Sequence, residues 1–182
     1  PLYLLMRGKV AGIVHPSMRK SVAEVSLWLF VVALSLQMGA GLYEMRVVTP
    51  LWSASPPASV RAWNTDGARA IEPRAKFWRY CTAAVGLTAA LALVAGLTKG
   101  GREGKWLVAS SATVVVLVLS TYLYFAPSLA LLLERRGAGL SDEQVIERAG
   151  SWLWLGRVRA AAYVLAWLAA LKALSVSGGQ KV

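Results

Sequence analysis

The chain has 182 residues, 57% of them hydrophobic and 16% charged, with a mean hydropathy of +0.52. A soluble domain carries about 25% charged residues, and here the apolar excess is gathered into long uncharged blocks, which points to a membrane rather than to a soluble core. The net charge of +11 does not argue for nucleic acid, because Lys and Arg cluster at the ends of the apolar blocks, where juxtamembrane cations belong.

One cysteine, Cys81, excludes an internal disulfide, a cysteine-based metal cluster and a dithiol redox pair. One histidine, His15, excludes two-histidine haem ligation within the chain, and it reads most simply as a solvated interfacial residue. No phosphate-cradling glycine loop, zinc-ligand spacing or nucleophile–base pair is present, so no metal site and no evident cofactor is expected.

Residues 1–21 read as a cytoplasmic or interfacial tail. The chain opens on Pro1, so its true start is expected upstream, and the apolar run 1–6 is too short for a signal-peptide core. The first membrane block spans 22–43, about 33 Å as a helix against a hydrocarbon core of about 30 Å. Its one charge, Glu24, lies in the first turn, too near the edge to act as the mid-membrane carboxylate of a small proton-coupled exporter. The second block spans 80–98 and the third 106–133, both without a charge, and Pro127 should kink the third or mark where it leaves the bilayer. The fourth spans 152–176, with Lys172 close enough to its end to snorkel to the headgroups. Small residues at four-residue spacing (Ser35/Gly39, Gly86/Ala90, Ala92/Gly96, Ala162/Ala166/Ala170) suit close helix packing. The expected fold is therefore an all-α integral membrane bundle of four helices over 22–176, with both termini on one side and a short tail at 177–182.

The connections differ in kind. Residues 99–105 (KGGREGK) form a tight turn. Residues 44–79, with four of the seven prolines and three tryptophans, read as a long loop over the outer face. In the third connection, Ser141 or Asp142 can cap a short helix through 145–148. The tail, the tight turn and the C-terminal end hold nine Lys/Arg against two acids, which by the positive-inside rule makes both termini cytoplasmic in a multi-pass protein.

The most unusual stretch is GLYEMRVVTPLWSASPP at 41–57, which sets Glu44 and Arg46 at or just below headgroup depth, where charge is costly unless paired or wet. A polar site under the outer loop would combine Glu44, Arg46 and Trp52 with Trp154 and Arg157 of the fourth helix. Tyr124, just before Pro127, would line its cavity. The simpler account is an ion pair of Glu44 with Arg157 or Arg159 that locks two helices. Trp52, Trp63, Trp78, Trp106, Trp152 and Trp154 fit an interfacial belt, whereas Trp28 and Trp167 lie deeper, where packing is the simpler role.

The stretches GLYEMRVVTPLW at 41–52, RAKFWRYCTA at 74–83, TYLYFAPSLALLL at 121–133 and WLWLGRVRAAAYVLAWLAALKALSV at 152–176 resemble a bacterial branch of the anthrone-oxygenase-like membrane proteins. That family is largely a domain of unknown function with four spans, and the resemblance covers most of 20–176 in order and spacing. It implies action on a lipophilic aromatic molecule, since the fungal members oxidise an anthrone to an anthraquinone without an evident cofactor. This chain departs from them in its Pro-rich first connection.

Two functions follow as expectations. One is binding or oxidation of a lipophilic aromatic or quinone-like molecule at the outer mouth of the bundle. The other is a non-catalytic accessory subunit of a larger respiratory or photosynthetic membrane complex, with lipid, other membrane subunits or its own copies as partners.

Overall fold

A computed structural model describes residues 16–63 and 65–178, with side chains over 24–63 and 76–177. The tail at 1–15, with His15, and the last residues from 179 lie outside the described residues. All regular structure among the described residues is helical. Helix α1 (Pro16–Tyr43) runs on through a π turn (Glu44–Val48) into Thr49–Ser53; α2 (Ala58–Arg61) is a single turn; α3 spans Thr65–Lys99. Helix α4 (Gly101–Ser120) continues through a π turn (Thr121–Phe125), an α turn (Ala126–Leu129) and a second π turn (Ala130–Glu134), and α5 spans Asp142–Gly178.

Four of these helical runs are long and apolar enough to cross a membrane: Glu24–Ser53, Lys76–Lys99, Gly101–Glu134 and Asp142–Ser177. The chain is thus an all-α, multi-pass bundle, and an even number of crossings puts both termini on one side. Large apolar side chains stay uncovered along every span, Leu36, Leu87, Leu123 and Leu165 among them. Such wide apolar flanks are at rest only in lipid or against another apolar surface.

The helices outrun the apolar blocks at their outer ends. Residues 44–79, expected as a long loop, are mostly helical, and the connection shrinks to the segment around α2, from Ala54 to Trp63, before α3 begins. Likewise the short helix expected at 145–148 is the first part of α5. Hydropathy marks where lipid stops, but backbone hydrogen bonding continues into water wherever no breaker intervenes. The capping signal itself is in place: Gln144 N–H donates to Ser141 Oγ (3.3 Å) and Ser141 N–H to Gln144 Oε1 (3.0 Å), a capping box.

The prolines at 50 and 127 are carried within continuous helical runs, each just after a π turn. A proline ring collides with the carbonyl four residues back in an α ladder. Here the residue before each proline donates five residues back instead, Thr49 N–H to Glu44 O ahead of Pro50 and Ala126 N–H to Thr121 O ahead of Pro127. The wider π turn leaves room for the ring.

Two apolar cores stack along the bundle. The inner one joins Leu27, Phe30, Leu34, Val85, Ala89, Ala92, Leu107, Val114, Ala166 and Ala170. At its foot α3 and α4 meet closely: a Cβ on Gly104 would stand 2.8 Å from the Gly96 carbonyl oxygen, and Gly100 and Gly101 turn the chain with φ of 69° and 65°. The outer core joins Trp52, Val60, Phe125, Leu132, Val145 and Trp152. Arg61 ties its rim together by donating to Asp142 Oδ1 (2.6 and 3.1 Å) and to the Leu140 carbonyl (3.2 Å).

Candidate functional site

Between the two cores lies a cluster of polar side chains drawn from α1, α4 and α5. Its centre is Arg159, on the inward face of α5, seven residues and about 10 Å further into the bundle than Trp152. Its Nη1 donates to Thr121 Oγ1 (3.1 Å), and its guanidinium lies 3.9 Å above the centre of the Phe125 ring. A ring face offers partial compensation for a cation removed from water. Thr121 is the first residue of the π turn of α4, so the proline-driven change of pitch sets the hydroxyl that meets Arg159.

One turn further in, Tyr163 packs in the inner core with its hydroxyl buried. That hydroxyl faces Thr121 and Gln37 yet completes a normal hydrogen bond with neither. Gln37, on α1, is only 7% exposed, and its Oε1 also lacks a partner. Glu44, at the start of the other π turn, acts on Arg159 through space and accepts a hydrogen bond from Trp78 Nε1 (3.3 Å).

The sequence-derived residues separate under this geometry. Glu44 lies beside the cluster. Trp52 is fully buried above it, edge-on to Trp152 at 5.4 Å, and Trp152 Nε1 donates to the Phe125 carbonyl (3.2 Å). Tyr124 stands edge-on to Phe125 at 5.2 Å and packs against the outer core. Arg46, Trp154 and Arg157 are exposed and are not brought in. Trp28 is exposed, whereas Trp167 donates to Ser35 Oγ (3.0 Å) and is a packing residue.

The cluster itself is formed by Arg159, Tyr163, Gln37 and Thr121, of which the charges in the sequence point only to Arg159, as an ion-pair partner of Glu44. The signal for the first two is helical phase. Ala166, Ala170 and Ala173 mark the buried stripe of α5, and stepping back by three or four residues gives Tyr163 and Arg159. Arg157 is two residues, about 200°, away from that face. The same phase points to Gln37, three residues after Leu34 in the buried stripe Leu27–Phe30–Leu34 of α1, and to Thr121, seven residues after Val114 in that of α4.

The arrangement can hold an oxygen-bearing group inside an otherwise apolar bundle, with aromatic rings on the outer side. Among the described residues no group of three His, Cys, Asp or Glu side chains is placed to hold a metal ion. No family model matches the chain, and no curated protein or solved structure does.

Proposed function

We propose that the bundle binds a lipophilic aromatic or quinone-like molecule, its polar end at Arg159 and its ring among Phe125, Tyr124 and the tryptophans of the outer core. The observation that carries this reading is Arg159 itself. A guanidinium inside a membrane bundle is expensive, and intramembrane charges mark functional sites by default. This one has a single side-chain hydrogen bond and a ring face where five donors are available.

The protein sits in a bacterial inner membrane with both termini cytoplasmic, a reading supported by the Lys/Arg bias of the tail, the tight turn and the C-terminal end. The resemblance to anthrone-oxygenase-like proteins extends binding to oxidation of the bound ring by dioxygen, one oxygen atom entering the ring carbon and the other leaving as water, which would appear as anthraquinone formed from added anthrone in air and not under nitrogen.

Adding decylubiquinone to the protein in lipid nanodiscs tests the binding. Saturable quenching of tryptophan emission, weakened in Arg159→Gln, is the expected result. Linear, collisional quenching identical in both proteins would remove the site.

The second reading, an accessory subunit of a larger assembly, rests on the uncovered apolar flanks of all four spans. Gentle solubilisation with the chain migrating alone would count against it.

A further inference from the structure

The polar cluster holds a cation that no carboxylate contacts among the described residues, and this narrows the chemistry of what it holds. Arginine cannot shed its proton, so Arg159 stays a cation at any working pH. Among the described residues no carboxylate meets it in an ion pair: Glu44 acts from a distance, with an oxygen taken up by the Trp78 indole. A cation in a low-dielectric interior needs an opposite charge in contact with it.

Beside it are two side chains, each more than nine-tenths buried, whose polar atoms have no partner: the Tyr163 hydroxyl and the Gln37 amide oxygen. Each such orphan costs about 1–3 kcal/mol. The two ends of an amide are interchangeable by rotation, so Gln37 can offer an N–H at the same place. Tyr163 neighbours both Arg159 and Gln37, so a guanidinium N–H, a phenol O–H and an amide N–H can reach one group placed beside its hydroxyl. A neutral carbonyl would satisfy one or two of these donors. An ionised oxygen would satisfy all three and neutralise the guanidinium as well.

Resting on the binding proposed above, we infer that the natural ligand is a lipophilic monoanion, a carboxylate or phenolate on an apolar body, rather than a neutral ring. The anionic oxygen sits between Arg159, Tyr163 and Gln37, and the body extends along the Phe125 side. Electrostatic contact in an environment this dry separates an acid from its neutral ester strongly, because the ester keeps the shape and loses the charge.

The test uses the whole protein in phosphatidylcholine nanodiscs, with 1-pyrenebutyric acid and its methyl ester as probes. Energy transfer from tryptophan to pyrene reports occupancy above simple partitioning. The acid should bind at least about tenfold tighter than the ester, a difference of about 1.4 kcal/mol. Arg159→Gln should erase the preference, Tyr163→Phe and Gln37→Leu should each reduce it several-fold, and Arg148→Gln on the exposed outer part of α5 should leave it intact.

Equal binding of acid and ester, unaffected by Arg159→Gln, overturns the anion and leaves the lipophilic site standing. Saturable decylubiquinone quenching with no saturable transfer to either pyrene probe does the same. If no probe saturates, both readings fall together. Should Arg159→Gln not survive purification, the acid-to-ester ratio in Tyr163→Phe and Gln37→Leu decides: a fall supports the anion and an unchanged ratio overturns it.

Discussion

The inner and outer halves of the bundle are built from the same kind of helix but solve the packing problem differently. In the inner half the helices are regular, the contact residues are small, and hydroxyls find partners: Ser110 Oγ donates to the Ala166 carbonyl (2.6 Å) across two helices, Ser111 Oγ to the Leu107 carbonyl, and buried Glu103 pairs with Lys99. In the outer half and at the seam the helices open into π turns, the contact residues are aromatic, and partners are missing. The buried side-chain atoms without a hydrogen bond among the described residues are Gln37 Oε1, Thr49 Oγ1, Trp52 Nε1, Trp63 Nε1 and Tyr163 Oη, all at the seam or above it. The difference teaches that the buried polar groups of the inner half are satisfied within the fold while those at the seam are not, the pattern that a site proposed at the seam would require.

The largest expected effect breaks the tight end. In Gly104→Val the new Cβ would stand only 2.8 Å from the Gly96 carbonyl oxygen, and backbone cannot swing aside as a flexible side chain can. The cost should be about 3 kcal/mol or more, read as a lowered unfolding midpoint in mixed micelles. A midpoint within error of the parent would show that α3 and α4 do not approach so closely.

At the outer end the first test is the capping box. Ser141→Ala removes the acceptor of the Gln144 N–H and should cost about 1 kcal/mol, with fraying confined to the first turns of α5 by amide exchange. Exchange that quickens as far as Tyr163 would instead mean that the two halves unfold as one unit, against the comparison.

How far the sequence made this legible also divides by region. The four spans were plain, because uncharged blocks such as 106–133 have no other stable home. Their outer ends were hidden, since the connection 44–79 looked like a loop from its prolines and tryptophans, while Pro50 is in fact carried by a π turn that composition does not announce. Of the candidate site, Glu44, Trp52 and Tyr124 fall at or beside the cluster, whereas charge and depth alone do not separate Arg157 from Arg159 and only helical phase does. The alanine stripe through Ala166 and Ala170 holds the information that makes that choice.

A smaller effect sharpens the contrast. Ser110→Ala deletes a buried bond between helices in the inner half, and in a membrane bundle such bonds average about 0.6 kcal/mol. The same chemical change at the seam, Tyr163→Phe, should behave oppositely. Its hydroxyl is buried without a hydrogen bond, so the phenylalanine keeps the ring packing in the inner core and sheds a desolvated polar group.

The prediction for Tyr163→Phe is therefore an unchanged or slightly raised unfolding midpoint in the absence of ligand, set against a lowered one for Ser110→Ala under the same conditions. The sign matters more than the size. An ordinary core hydroxyl would show a loss in both variants, because a tyrosine retained for folding has its bond within the fold. A neutral or stabilising change at Tyr163 means the fold gains nothing from the oxygen, as the proposed ligand contact requires. A loss of about 1 kcal/mol or more would give the hydroxyl a partner inside the protein, and the seam would then be a structural network like that of the inner half. Measuring both variants with and without a bound acid closes the argument: only the seam variant should lose the ligand's contribution to stability, since mass action adds to the midpoint only what binding supplies.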